Sequence, residues 1–226
     1  MTCVELGNIQ TAVYGCSYYS KEIMAPVYDS ARPEHRQKYE ILLAHGGDDR
    51  HIPMKVNQIQ SLGYDYVAMG HIHKPQELVE NHMAYAGALE PIDINDTGTH
   101  GYIEGRISEK GCQIRFVCHA SREYIHKDVQ VHRAMTGHNL KQELVRMIEE
   151  NGRQNMYKIT LTGFRDPDIW YDLEQMDSCG NVVEIVDHTK PAYDFEKLSN
   201  ENKGNILGQY IESLKGYPQD SIEYQA

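Results

Sequence analysis

The sequence predicts an α/β fold, and three of its features indicate this class. Two short apolar runs, residues 41–44 and 66–69, each stop at glycine and histidine residues, as buried strands often do. Between them, Ile52, Val56 and Ile59 recur at helical spacing. Beyond them, apolar and polar residues alternate in several further segments, which favours more strands. The class is therefore a sheet with helices packed on it.

The two apolar runs are predicted to form neighbouring parallel strands. Pro53 sits where the first turn of a helix tolerates proline, and Gly63 supplies a helix end, so a strand–helix–strand unit results. The carboxyl ends of such strands lie at one edge of the sheet, where open α/β sheets bind ligands. We therefore expect His45, His71 and His73 to converge there.

Histidines at such an edge suggest metal coordination, since neutral imidazole is a common ligand for transition metals. We expect His71 and His73, separated by one residue, to point to opposite sides of the backbone, which suits two adjacent metals. Gly70 would let the backbone turn sharply, and Gly46 follows His45 in the same supporting role. An ordinary polar role at strand ends is the alternative. The combined pattern H-G followed by G-H-x-H favours the metal site.

These motifs resemble a known family. The ordered series LLAHG, DYVAMGHIHKPQ, AYAGALEP and THGYI is similar to the second half of a calcineurin-like metallophosphoesterase, of the kind found in SbcD-type DNA repair exonucleases. The resemblance covers roughly residues 10–107. It implies the second half of a β-sandwich flanked by helices. It also implies that His45 and His71 bind one metal and His73 the other, with two manganese ions in the complete enzyme.

The sequence departs from this family upstream of His45. Such enzymes begin with D-x-H, G-D-x-x-D and G-N-H-D motifs, and none of these precedes His45 here. Residues 47–51, GDDRH, contain similar letters but follow the wrong strand, so we interpret them as loop residues. The chain therefore resembles a carboxyl-terminal portion in which no catalytic residue is identifiable. Without a carboxylate, its three histidines predict a partial site, either empty or weakly zinc-binding.

The composition excludes several function classes. No apolar run is long enough to span a membrane, and the first ten residues lack the pattern of a signal peptide. Five scattered cysteines without a C-x-x-C pair argue against a zinc ribbon or a disulfide framework, so we expect a cytoplasmic protein. The net charge of −11 argues against autonomous DNA binding, because phosphate neutralisation needs basic groups.

The remaining chain divides into further predicted elements. A strand is expected at 11–14 and another at 82–88, followed by a hairpin of 99–108 with 112–119. Alternation in its second strand predicts that Ile114, Phe116 and Cys118 face the core. Beyond the hairpin, the pattern predicts three strands and two helices. The strands are 123–132, 157–162 and 182–186, and the helices are 140–150, capped by Asn139 with Gln142, and 168–176.

We therefore expect three regions. They are a partial phosphoesterase domain over 1–120, a small α/β capping domain over 121–190, and a polar carboxyl-terminal tail over 191–226 with a possible helix at 205–214. The tail would be mobile or docked to a partner.

Three functions follow from the sequence. In the first, the chain is part of a metal-dependent DNA exonuclease, inactive alone, with DNA, the absent front half of the phosphoesterase domain and an SbcC-type coiled-coil ATPase as partners. In the second, it is a non-catalytic module that docks DNA or the ATPase through its capping domain. In the third, the same chemistry acts on nucleotides or phosphoproteins.

Overall fold

The computed structural model describes residues 1–218 and 221, and it confirms the α/β class. The described residues form two compact units. The first unit comprises residues 1–126 and 154–157, and the second comprises 127–153 and the described residues from 158 onward.

A six-stranded mixed sheet organises the first unit. Its strands stand in the order β1-β2-β3-β4-β6-β5, and the inner pairs β2–β3, β3–β4 and β4–β6 are parallel. The two edge pairs, β1–β2 and β5–β6, are antiparallel. The strands are β1 (Thr2–Leu6), β2 (Thr11–Gly15), β3 (Tyr39–His45), β4 (Tyr66–Gly70), β5 (Gln76–Val79) and β6 (Met83–Tyr85).

The predicted parallel pairing of β3 with β4 is confirmed, and it places His45 opposite Gly70. The helix between them is shorter than predicted, since α1 covers only Val56–Gln60. The reason lies at Ile52, whose backbone N–H donates to the carbonyl of Ile23 at 2.7 Å. This hydrogen bond holds residues 52–55, which precede α1, as a loop rather than as a first helical turn.

One face of the sheet carries the hydrophobic core. Leu42 and Val67 on the central strands are fully buried, and Ile59 of α1 covers them with 1% exposure. Each such aliphatic side chain stabilises the fold by roughly 1.5–3 kcal/mol relative to an exposed one. This core fixes the two strands whose ends carry the histidines.

The opposite face is only partly covered, by the predicted hairpin of β7 (Gly101–Ser108) and β8 (Gly111–Cys118). The prediction that Phe116 and Cys118 face the core is wrong, because both are exposed. Ile114, the third residue of that prediction, does face the sheet. An apolar cavity of about 260 Å³ separates the ribbon from the sheet, and the two layers do not close as a tight sandwich. The lining residues include Ile41, Tyr66, Ala68, Ala84, Ile103 and Ile114.

The second unit is built on a four-stranded sheet with one long helix. The sheet has the order β11-β10-β12, with β9 also paired to β10. Tyr157, Ile159 and Leu161 alternate as predicted and are fully buried. The elements are β9 (Tyr124–Val131), α2 (Gly137–Asn151), β10 (Met156–Arg165), β11 (Val182–Asp187) and β12 (Lys190–Pro191).

Two local predictions in this unit are wrong. The capping box of α2 joins Thr136 and Asn139, one turn earlier than expected, because the Thr136 hydroxyl accepts the Asn139 N–H at 3.2 Å. The helix predicted at 168–176 is absent from these described residues apart from a 3-10 turn at Leu173–Gln175. There, the guanidinium of Arg165 donates to the carbonyl of Ile169 at 2.9 Å, which holds the segment in a non-helical course.

Two helices, α3 (Phe195–Glu201) and α4 (Ile206–Leu214), follow the second sheet and pack on each other. The helix predicted at 205–214 is α4, capped by Asn205. The part of the predicted tail at 219–220 and 222–226 lies outside the described residues. Among the residues described, no helix combines the length and apolar character needed to cross a membrane.

Candidate metal centre

His45 ends β3, where its ring lies against two aromatic neighbours. The ring centroids of His45 and His71 are 5.4 Å apart, and Tyr18 stands edge-on to His45 at 5.2 Å. A Cβ at Gly70 would lie only 3.0 Å from Nδ1 of His45. Glycine at this position therefore leaves room for the imidazole, and the sheet edge brings His45 and His71 together.

The sharp turn after β4 occurs at His71, which has φ of 103°. The expectation that Gly70 makes this turn is wrong, since Gly70 lies outside the left-handed region. A non-glycine residue at positive φ is strained and is often found where a side chain must point at a functional site. The Gly46 N–H donates to the Gly70 carbonyl at 3.2 Å and ties the two strand ends together.

His73 contacts a different group. Its Nδ1 lies 3.1 Å from Oδ2 of Asp96, in the loop before β7. Partial burial would raise the pKa of Asp96, but the Ile92 N–H and the nearby His73 lower it overall. The pair is accessible, because the His73 side chain is 44% exposed. His71 and His73 thus have separate carboxylate partners. Residues two apart on an extended segment would point to the same side, so the separation arises from the turn at His71, not from strand alternation.

Sequence reasoning missed two residues of this edge, Asp48 and His51. Oδ2 of Asp48 lies 2.6 Å from Nε2 of His71, and Oδ1 lies 2.8 Å from Nδ1 of His51. The rings of His51 and His71 are 4.5 Å apart. The sequence GDDRH contains both residues, but it follows the strand of His45, where the pattern predicts an ordinary loop. The expectation of histidines without a carboxylate is therefore wrong.

The charge of Asp48 is well stabilised. Hydrogen bonds from His71 and His51, followed by the Arg50 backbone N–H, hold the pKa of the Asp48 carboxyl far below its usual range. Partial burial of its ring lowers the pKa of His45, and the neighbouring His71 and His51 lower it further. At neutral pH the edge therefore presents a carboxylate beside a neutral imidazole.

The donor set at this edge fits a divalent metal. One ligand atom from each of Asp48, His51 and His71 lies within 4.8 Å of the other two. Imidazole nitrogen with carboxylate oxygen suits borderline ions such as zinc, iron and nickel, and also manganese. His45 lies beside this group, and the pair of His73 with Asp96 offers a second set of donors.

No protein-family model matches the chain. It is 32% identical over 104 residues to a Bacillus subtilis (strain 168) protein described as an uncharacterized metallophosphoesterase, YhaO. This similarity covers 42% of the chain, and the chain spans only about a quarter, 26%, of that protein. This partial similarity is to a metallophosphoesterase, the superfamily that the sequence motifs around His45, His71 and His73 resemble.

Proposed function

We propose that the first unit is the part of a metallophosphoesterase that carries imidazole ligands of a two-metal centre, and that the whole enzyme cleaves DNA ends in repair. The observation that carries this proposal is that the rings of His45 and His71 lie 5.4 Å apart at the ends of adjacent parallel strands. His73, two residues further, has its own carboxylate partner in Asp96. This arrangement supports ligands for two neighbouring ions, and manganese is the expected metal.

Two such ions, when bound, would clamp a phosphodiester and supply an activated water. The chain's own residues have narrower roles in this proposal. His45 and His71 would hold one ion and His73 the other, while Gly46 and Gly70 fix the backbone around them. We assign no general acid to a residue of this chain. The remaining ligands and the acid would come from a second polypeptide segment.

An open sheet face supports the existence of such a segment. The hairpin β7–β8 lies over one part of the second face, including Ile41 of β3, and leaves other aliphatic residues of that face exposed. Leu43 on the central strand is 52% exposed, and Val4 on β1 is 56% exposed. They line a groove of about 600 Å³ that reaches His45. Exposed aliphatic side chains on a sheet face favour coverage by another layer.

The acidic charge of the chain influences the choice of partners. With 33 acidic against 22 basic residues, the chain offers little phosphate neutralisation of its own. Binding of DNA would therefore depend on the metals, the second segment and an SbcC-type ATPase. Nucleotides and phosphoproteins are the alternative substrates.

Reconstitution tests the proposal. The chain would be co-expressed with the part of the Bacillus protein that lies outside the matched stretch, purified as a complex, and assayed with manganese on bis-nitrophenyl phosphate, duplex DNA, a nucleotide and a phosphopeptide. We expect hydrolysis by the complex but not by the chain alone, and a preference for DNA ends.

Variants sharpen this assay. His71→Ala should abolish hydrolysis, while His138→Gln, an exposed histidine of α2, should leave it unchanged. Leu43→Asp should prevent assembly without unfolding the chain. A purified complex that hydrolyses none of the substrates, or hydrolysis that survives His71→Ala, would overturn the proposal. A preference for the nucleotide or the phosphopeptide would support metal-dependent phosphoester hydrolysis but contradict DNA as the substrate.

A second candidate function, a non-catalytic module that docks the ATPase, is favoured by α4. Ile206, Leu207 and Tyr210 are 86%, 44% and 51% exposed on this helix. Exposed apolar residues on an amphipathic helix suit a helical partner. Loss of ATPase binding in Ile206→Glu with Tyr210→Glu, without any hydrolysis by the reconstituted complex, would favour this role.

A further inference from the structure

The loop that follows β3 supplies a metal site of a different composition from the one the family resemblance implies. We infer that Asp48, His51 and His71 bind a single borderline divalent cation, Zn²⁺ or Co²⁺, within this chain alone. Asp48 and His51 match no ligand position of the resembled family, and the site needs no second segment. The inference therefore goes beyond the proposed function.

The distances between the donor atoms carry this inference. Asp48 lies 2.6 Å from Nε2 of His71 and 2.8 Å from Nδ1 of His51. In a tetrahedral zinc site with bonds of about 2.0–2.2 Å, neighbouring ligand atoms are roughly 3.3–3.5 Å apart. The two oxygen–nitrogen distances would thus lengthen by less than about 1 Å to admit an ion, and the ligand atoms of His51 and His71 already lie within 4.8 Å of each other. No backbone rearrangement is needed for a displacement of that size.

The loop is built to hold these donors in place. The buried hydroxyl of Tyr85 donates to the Gly46 carbonyl at 2.8 Å, and the Gly47 N–H donates to the His51 carbonyl at 2.8 Å. On its other side, Ile23 pairs with the loop, donating its N–H to the Arg50 carbonyl at 2.8 Å. Such outer contacts fix ligand direction and strengthen metal affinity.

The three ligand side chains are accessible enough for a metal ion to enter from solvent and leave again. The side chains of His71, His51 and Asp48 are 21%, 30% and 45% exposed, so an ion can enter and a water can occupy its open position. His45, whose ring is 5.4 Å from that of His71, is the nearby imidazole that could replace this water. Two nitrogens with one carboxylate favour zinc or cobalt over the harder magnesium ion.

A titration of the intact chain tests the site directly. Calorimetry with Zn²⁺ at neutral pH should give one ion per chain, and Co²⁺ should give the strong visible absorption of four-coordinate cobalt. His51→Gln and Asp48→Asn should each weaken zinc binding by at least about 10–100-fold, the loss seen even for outer-shell ligand partners. Asp49→Asn, an exposed carboxylate next in sequence, is the matched control and should bind as the native chain does.

A measurement on the native chain tests the site without relying on variants that fail to fold. Nitrogen NMR of the histidine rings should show zinc-induced shifts at Nδ1 of His51 and Nε2 of His71. No zinc binding, or binding with shifts at His45 and none at His51, would overturn the inference. Either result would leave the reconstituted phosphoesterase assay free to succeed, so the two proposals fail separately.

Discussion

Nε2 of His71 lies 2.6 Å from Oδ2 of Asp48, although the two residues are 23 positions apart. The contact arises because β3 and β4 are parallel neighbours, so the loop after the first strand folds over the end of the second. It gives the histidine edge an anionic group from within the same chain. A carboxylate ligand for a metal at this edge is therefore available within the chain itself.

Metal binding should stabilise the first unit. A ligand that binds only the folded state at 100 times its dissociation constant adds about 2.7 kcal/mol to the free energy of unfolding. We expect added Zn²⁺ to raise the thermal midpoint of the intact chain and EDTA to reverse this. The effect should be clearly smaller in His51→Gln and unchanged in Asp49→Asn. Equal stabilisation of both variants would point to zinc binding elsewhere.

Leu42 and Leu43 are adjacent on β3 but face opposite sides of the sheet. Leu42 is fully buried and Leu43 is 52% exposed. We expect Leu42→Ala to cost about 2–5 kcal/mol in the free energy of unfolding, because it leaves a cavity in the core. Leu43→Ala should change it by no more than about 0.5 kcal/mol.

Urea unfolding followed by circular dichroism measures this difference. Fluorescence of Trp170, in the second unit, serves as an internal control, since neither substitution touches that unit. Comparable losses from the two substitutions would mean that the second sheet face is already covered in solution.

The sequence was sufficient to predict the parts of the fold that depend on local pattern. Apolar runs ending at His45 and at Gly70 predicted adjacent parallel strands, because a short strand–helix–strand connection leaves few alternatives. The alternation of Tyr157, Ile159 and Leu161 likewise predicted a strand with one buried face.

The parts that were missed depend on contacts between distant segments. The fold of the loop around Asp48 is set by Ile23 and by the hydroxyl of Tyr85, and no local pattern reveals either partner. Phe116 was misplaced for a related reason. It lies on the same strand face as Ile114, two residues away, but alternation does not say how far along a strand the neighbouring layer extends.

Gly46 should be indispensable for the loop geometry. A Cβ at this position would lie 2.2 Å from the His51 carbonyl oxygen, and its φ is +142°. Gly63 also has positive φ, +98°, but nothing lies within 4 Å of its Cβ position. Gly63→Ala should therefore lower the free energy of unfolding by only about 1–2 kcal/mol, through backbone strain.

Gly46→Ala should cost more than Gly63→Ala and should also abolish zinc binding, because it displaces His51. Urea unfolding and zinc calorimetry of the two variants decide this. A Gly46→Ala chain that binds zinc normally would contradict the tight packing described for the loop.

The stability of the first unit should fall as the pH is lowered through the histidine range. Burial lowers the pKa of His82, although its hydrogen bond to the Asp65 backbone and the Asp65 charge oppose this shift. The unfolded chain then binds a proton below about pH 6.5, where the folded chain does not. Protons therefore favour the unfolded state between the folded pKa and 6.5, with a slope of at most about 1.4 kcal/mol per pH unit for this group.

The test is urea unfolding in EDTA at pH 7.5, 6.5 and 5.5. It uses a His45→Gln background to remove another histidine whose pKa is lowered. In that background we expect a loss of stability toward pH 5.5 and a flatter profile once His82→Gln is added. His138→Gln, on the exposed surface of α2, is the matched control and should keep the slope. A slope that persists without His82 would show that its imidazole is protonated equally in the folded and unfolded chains.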